Sequence, residues 1–278
     1  MDMRGDEEAG ERGELVVRPQ ALLLTLFGDH VLDRGVAVST GSVVAVLERL
    51  GVGEHATRTA VARMVRRDLL GTVRRGRRVF LGLTRHGGEV LRDGRHRLTT
   101  DVVDSDWDGR WTLLSFSVPE ARRADRHALR KRLGWLGFAP LRSGVWVSPG
   151  AADVERVLAE LDLLDHAEVF RAEAAGWTDP ARIVREAWDL PAIEADYRAF
   201  LSRWEDGTYD ALDVLCRRVR LTAEWLLLVR QDPRLPASLL PAGWPGVVAQ
   251  RRFRALHGRL VAPSVACAER ELAVVATG

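Results

Sequence analysis

Arginine is the residue whose number and placement point to chemistry in this sequence. Between Gly51 and Arg97 stand twelve arginines (58, 63, 66, 67, 74, 75, 77, 78, 85, 92, 95 and 97) against Glu54, Asp68, Glu89 and Asp93. The segment therefore carries +8 within a chain of net +2, and the remainder carries −6. A guanidinium is a planar fork of donors that pairs bidentately with guanine edges or phosphate oxygens. Charge concentrated in this way is the footprint of a polyanion partner. Two groups stand out: His55, Arg58, Thr59, Arg63 and Arg66 recur on one side of a helical segment, and Arg74, Arg75, Arg77 and Arg78 surround Gly76. The competing reading is a composition that scatters arginine over every solvated face, since of 41 basic residues only Lys131 is lysine. Asparagine is absent, which removes the Asn-to-adenine contact and leaves Arg58 and Arg63 as the strongest base-reading candidates.

Catalytic chemistry has little to stand on. No P-loop, Gly-x-Ser-x-Gly, His-Glu-x-x-His or paired-cysteine motif occurs, and the seven histidines are dispersed. Cys216 and Cys267 lie far apart in apolar helical surroundings and read as buried thiols. No catalytic residue, metal ligand or cofactor is expected. Asp104, Asp106 and Asp108 alternate ahead of a strand, a pattern read as a solvated linker.

The elements that must position the arginines follow from periodicity. Pro19 followed by Ala21 to Phe27 predicts a helix that Asp33-Arg34-Gly35 ends. A second helix, from Gly41 or Ser42 to Leu50, carries Val43, Val46, Leu47 and Leu50 on one stripe. After Gly51-Val52-Gly53, a third from Glu54 to Leu69 turns Thr57, Ala60, Val61, Met64 and Val65 inward and the basic group outward. Two helices joined by a short Gly-containing turn form a helix-turn-helix whose second member enters the major groove. Strands Leu70–Val73 and Val79–Leu83 then make a hairpin with a four-arginine tip, a wing suited to phosphates or a minor groove. Thr84 caps a helix running to about Leu98, with Val90, Leu91 and Leu98 as its apolar positions.

Beyond it the pattern changes. Trp111–Val118 reads as a strand, Glu120–Leu133 as a helix using Ala121, Leu129 and Leu133, Phe138–Leu141 and Val145–Val147 as strands, Ala151–Leu164 as a helix with Leu161 and Leu164 inward, and Ala167–Ala172 as a last strand. This β-α-β-β-α-β order is ferredoxin-like. From Ala187 the chain reads as helical, with segments Trp188–Trp204, Tyr209–Arg230 and Trp244 to about Val275. Its dense aromatics could line a pocket, although large rings at helical spacing usually pack into a core. The expected class is thus α+β: a winged helix-turn-helix over 18–98, a ferredoxin-like domain over 99–175 and a helical domain over 176–278, after an acidic N-terminus of residues 1–17. That N-terminus lacks the basic and apolar regions of a signal peptide, and no apolar run approaches the roughly 18 residues that cross a bilayer. A cytoplasmic protein without a membrane partner is expected.

Several strings resemble the PaaX family of phenylacetate-degradation repressors. They are Trp107-Asp108-Gly109-Arg110-Trp111 through Phe116-Ser117-Val118-Pro119-Glu120, Gly137-Phe138, Gly144-Val145-Trp146-Val147-Ser148-Pro149, Leu239-Leu240-Pro241, Trp244-Pro245-Gly246 and, in the basic helix, Arg58-Thr59-Ala60. The resemblance covers residues 18 to 262. It implies a bacterial transcriptional regulator, a dimeric repressor bound to double-stranded operator DNA and released by a small-molecule effector such as phenylacetyl-coenzyme A or another acyl-coenzyme A. A ligand of that kind needs arginines beside apolar walls, and the candidates are Arg122, Arg123, Arg126 and Arg130 with Trp177, Trp204 and Trp244. A homodimer would join at the middle domain, through Trp111–Val118 and Val145–Val147. Two alternatives belong to other classes: a metal-dependent nucleic-acid enzyme, since the middle module resembles Cas2, and a co-regulator that binds a protein through its helical end.

Overall fold

In the computed structural model the described residues are 17–103, 107–150 and 153–277. The elements run α1 (Pro19–His30), β1 (Val36–Ser39), α2 (Thr40–Arg49), α3 (Glu54–Arg66), β2 (Leu70–Arg75), β3 (Arg78–Leu83), α4 (Arg85–Thr99), β4 (Arg110–Phe116), α5 (Arg123–Trp135), β5 (Ala139–Arg142), β6 (Val145–Pro149), α6 (Val154–Glu160), β7 (Ala167–Glu173), α7 (Pro180–Ala187), α8 (Leu190–Glu205), α9 (Val214–Gln231), α10 (Gly246–Glu271) and β8 (Val274–Ala276). The class is mixed α+β with two antiparallel four-stranded sheets. The chain divides into two units. One holds the chain up to Arg95 with 199–227 and 256 onward, and the other holds 96–198 with 228–255.

In the first unit Pro19 starts α1, whose Leu22, Leu23, Leu26 and Phe27 are buried with Val43, Val46 and Leu47 of α2 and Ala60 and Met64 of α3. Leu215, Cys216 and Val219 of α9 and Cys267 of α10 enter the same core, and both cysteines are free. The sheet order is β2-β3-β1-β8. Neither β1 nor β8 is foreshadowed by periodicity, because four and three residues are too few to show it. The expected helix to Val275 is corrected: α10 stops at Glu271, and the following residues pair with β1 in the register Val36↔Ala276, Ala37↔Val275 and Val38↔Val274. Ser39 N–H donates to Ala273 O (2.8 Å), Ala273 N–H to Ser42 Oγ (3.0 Å) and Thr277 N–H to Gly35 O (2.8 Å). Deleting residues 273–278 should therefore expose the edge of β1 and destabilise this unit by about 1–3 kcal/mol. A urea midpoint equal to that of the full chain would contradict the assignment.

A buried polar group also lies in this unit. Arg218 donates to Asp29 Oδ1 (3.0 Å) and to Ser264 Oγ (2.9 Å). Both ring nitrogens of the buried His30 lack a hydrogen-bond partner among the described residues. Burial first, then the Arg218 charge, holds His30 down at about 3 and His257 at about 4, while burial lifts Asp29 to about 6. Below pH 6.5 the unfolded chain protonates both histidines and the folded chain does not, so acidification costs about 1.4 kcal/mol per pH unit for each. Asp29 has the opposite sign between its ordinary value and about 6, because there the folded state keeps a proton that the unfolded state has lost. The net expectation is a stability loss of about 1.4 kcal/mol per unit as pH falls from about 6 to about 4. Urea midpoints that stay flat or rise over that range would refute it.

In the second unit the sheet order is β5-β6-β4-β7. Leu129 and Leu133 of α5 and Val154, Val157 and Leu158 of α6 share one core with Leu114 and Phe116 of β4, so both helices cover the same face. Several expected inward positions are corrected. Ala121 is exposed on a short 3-10 turn before α5. Leu164 is exposed and Leu163 takes its place, because α6 ends at Glu160 and Asp162 adopts φ +53. In the first unit, Val65 and Val90 likewise lie outward. Ala151, the expected start of the α6 segment, and the acidic first 16 residues lie outside the described residues.

Candidate nucleic-acid interface

The turn between α2 and α3 is set by two local devices. Ser39 Oγ accepts from Ser42 N–H (3.0 Å) and so caps α2. At the other end Gly51 takes φ +84, a left-handed conformation that a side chain would strain, while Val52 N–H donates to Leu47 O (2.8 Å). Helix α3 then buries Thr57, Ala60 and Met64. His55, Arg58, Thr59, Ala62, Arg63 and Arg66 all lie on its exposed side. Arg58 is not free: its Nε donates to Glu54 Oε1 (2.8 Å), an exposed pair one helical turn apart that contributes only about 0.3–0.5 kcal/mol and yields readily to a stronger acceptor.

At the end of α3, Leu69 N–H donates to Met64 O (2.9 Å) and Thr84 Oγ1 donates to Asp68 O. A Cβ on Gly87 of α4 would meet Leu69 O at 2.0 Å, so only glycine lets α4 press against this junction. Thr40 Oγ1 donates to Val79 O (3.1 Å), tying the start of α2 to β3. The hairpin register pairs Arg75 with Arg78 and Arg74 with Val79, across a two-residue turn of Gly76 (φ +59) and Arg77. All four arginines are exposed. The strands extend to Arg75 and Arg78, so the tip is shorter than the expected loop and places two guanidinium groups directly opposite on one face. Like charges in that position are destabilising in the free protein.

The remaining arginines of the basic segment behave differently. Arg85 pairs with Glu89, and Arg92 and Arg95 both pair with Asp33. Among the described residues no carboxylate lies within ion-pair distance of Arg63, Arg66, Arg67, Arg74, Arg75, Arg77 or Arg78. Positive charge is thus left uncompensated at Arg63 and Arg66 on the outer face of α3 and on the hairpin, and neutralised at Arg85, Arg92 and Arg95 of α4. Arg67, just beyond α3, joins this set; its adjacency to Arg66 was the signal available in the sequence.

The arginines proposed for an effector are divided by the structure. Arg122 donates to Asp125 (2.8 Å) and to the carbonyls of Leu161 and Asp162 (both 2.8 Å), which fastens the start of α5 to the end of α6. Arg126 pairs with Glu120. Arg123 and Arg130 are exposed. Trp177 is 90% exposed, Trp204 is buried in a polar network described below, and Trp244 stands edge-on to Tyr197 at 6.1 Å between centroids. The strands suggested as a dimer seam bury Trp111, Leu114, Phe116 and Val147 within their own chain, while Val169 and Phe170 on the edge strand β7 are exposed.

Among the described residues no group of three or more His, Cys, Asp or Glu could hold a metal ion. Asp108 accepts from Arg110 N–H and Arg171, Glu120 is paired, and Asp104 and Asp106 lie outside the described residues. Among the described residues no helix is long and apolar enough to cross a membrane.

Comparison with known proteins agrees over most of the chain. Residues 18–87 match the family described as PaaX-like protein, 104–184 the PaaX protein central Cas2-like domain, and 188–270 the PaaX-like protein C-terminal domain. The transcriptional repressor PaaX of Escherichia coli (strain K12) is 32% identical over 259 residues, covering 88% of this chain and 80% of the relative. A solved structure of an uncharacterized protein from Mycobacterium tuberculosis aligns with a TM-score of 0.57 at 21% identity, over 91% of this chain and all of that one. At that identity the likeness concerns the fold alone.

Proposed function

The chain belongs to the PaaX family, and on that premise we propose that it is a bacterial transcriptional repressor that binds double-stranded operator DNA and is released by a small-molecule effector. The observation that carries the reading is the separation of charge: Arg85, Arg92 and Arg95 of α4 are paired with acids, whereas Arg63 and Arg66 of α3 and the four arginines of the hairpin face solvent with no acid within ion-pair distance among the described residues. In this reading residues 18–98 form a winged helix-turn-helix with α3 in the major groove and β2–β3 as the wing. Residues 99–175 form a ferredoxin-like domain, supported by the strand order β5-β6-β4-β7 with both helices on one face. Residues 176–278 supply the remaining helices, divided between the two units, and the closing strand β8.

The protein acts as a cytoplasmic homodimer, since one recognition helix reads few base pairs and a twofold pair reads a palindrome about one helical turn apart. Edge strand β7, with Val169 and Phe170 exposed, supplies the seam. The effector is an acyl-coenzyme A thioester, phenylacetyl-coenzyme A being the first to try. To shift the DNA-competent state from 99:1 to 1:99 it must favour the other state by about 5.5 kcal/mol.

Base reading is tested by Arg58→Ala and Arg63→Ala. Each should cost about 1–3 kcal/mol on the preferred operator and little on unrelated duplexes, so the sequence preference narrows. Gel-shift titrations on both classes of duplex measure this. Equal affinity of the unaltered protein for every duplex would remove the repressor reading.

A further inference from the structure

The second unit carries another basic site, of different construction. Trp135 closes α5 and is 42% exposed. The guanidinium carbon of Arg230 lies 4.6 Å from the ring centroid and that of Arg97 lies 5.4 Å from it. Both arginines occupy the last turns of their helices, α9 and α4, where the negative ends of the helix dipoles favour cations. That explains how each is tolerated singly. It does not explain why Arg230, stacked on an exposed indole, has no carboxylate among the described residues within ion-pair distance. Partial burial, and then the Arg97 charge, weaken the hold of Arg230 on its proton. An anion beside the Arg230 guanidinium would supply the missing acceptor, and a planar fork fixed by stacking is preorganised for the oxygens of a phosphate.

We propose that Arg97, Trp135 and Arg230 form a binding site for the phosphate or pyrophosphate group of a small soluble ligand. The site deepens the effector reading above and rests on it, because a coenzyme A thioester carries such groups at the end remote from its acyl chain. It also places the anionic contact away from Arg122 and Arg126, which are already engaged within the fold.

The test uses the full chain and calorimetry with three probes: adenosine 3′,5′-bisphosphate, coenzyme A and pantetheine, the last having no phosphate. The first two should bind and pantetheine should not. Arg230→Ala should weaken both by about tenfold or more, and Arg230→Lys should recover only part of the loss because an ammonium keeps the charge without the fork. Trp135→Leu, at an exposed position, should weaken binding with the urea midpoint unchanged. Operator affinity in the absence of ligand should stay within about twofold of the unaltered protein for Arg230→Ala.

Failure of either phosphate probe to bind, or equal binding by Arg230→Ala, overturns the site. So does a lower operator affinity with a flatter salt dependence, which would assign the patch to the DNA backbone. The two readings separate cleanly. If acyl-coenzyme A esters release DNA equally well from Arg230→Ala and the unaltered protein, the effector reading stands and this site falls. If adenosine 3′,5′-bisphosphate binds through Arg230 while no ester releases DNA, the site stands and the effector reading falls.

Discussion

Replacing Arg74, Arg75, Arg77 and Arg78 together by alanine should weaken binding to every duplex alike, by about three orders of magnitude near 0.1 M salt if each meets one phosphate. The figure follows from counterion release: each phosphate neutralised on B-DNA contributes about 0.9 to the slope of log K against log salt, so four lost contacts flatten it by about 3.6. Sequence preference should survive, because α3 is untouched and the junction that seats it, from Leu69 to Thr84 and Gly87, does not involve the tip. The folded state offers a second, independent readout. Arg75 and Arg78 lie directly opposite in the hairpin without acidic partners among the described residues, so their removal should leave stability unchanged or raise it by about 0.2–1 kcal/mol. Weaker binding by a more stable protein is the signature of residues kept for an anion. An unchanged salt slope would show that the hairpin does not touch DNA.

The parts of this interface that could be read from sequence are those whose signal is local. The stripe of α2, the glycine of its turn and the opposed faces of α3 each depend on residues a few positions apart, and periodicity reports them. The hairpin is announced by alternation around Gly76. What was not legible depends on partners far away in the chain. β1 and β8 make sense only as a pair of strands more than two hundred residues apart. Leu69 and Gly87 are neighbours through a backbone contact that no pattern encodes.

The same limit governs charge. A run such as Arg122, Arg123, Arg126 and Arg130 looks uniform in sequence, yet Arg122 closes two carbonyls at the end of α6 while Arg130 faces water. Conversely, Arg97, Trp135 and Arg230 converge from three helices with nothing in their spacing to suggest it. Aromatic residues followed the bland expectation more closely: Tyr197, Phe200, Trp204, Trp225 and Phe253 are buried, and Trp177 is exposed.

Glu224→Ala should be the most damaging single substitution in the first unit, at about 3–5 kcal/mol. The carboxylate is fully buried on α9, where desolvation is tolerable only because donors surround it. Oε1 accepts from Arg220 Nε (2.7 Å) and from the Tyr209 hydroxyl (2.5 Å), and Oε2 from Trp204 Nε1 (2.9 Å) and Arg203 Nε (3.5 Å). Alanine would leave those donors facing a cavity, with the charges of Arg203 and Arg220 unopposed. Around them Trp204 packs on Tyr209 at 4.7 Å and on Phe200 at 6.3 Å, and Phe200 on Trp225 at 5.7 Å, so collapse into the cavity would disturb the aromatic core as well. Glu224→Gln tests the electrostatic share, since it keeps the shape but turns an amide donor toward donors. It should recover part of the loss and no more. The exposed pair Arg198–Glu194 serves as the contrast: Arg198→Ala should change stability by less than about 0.5 kcal/mol. A Glu224→Ala protein whose urea midpoint matches that of Arg198→Ala would mean that the four donors find other acceptors and that the network is not what holds α8 to α9.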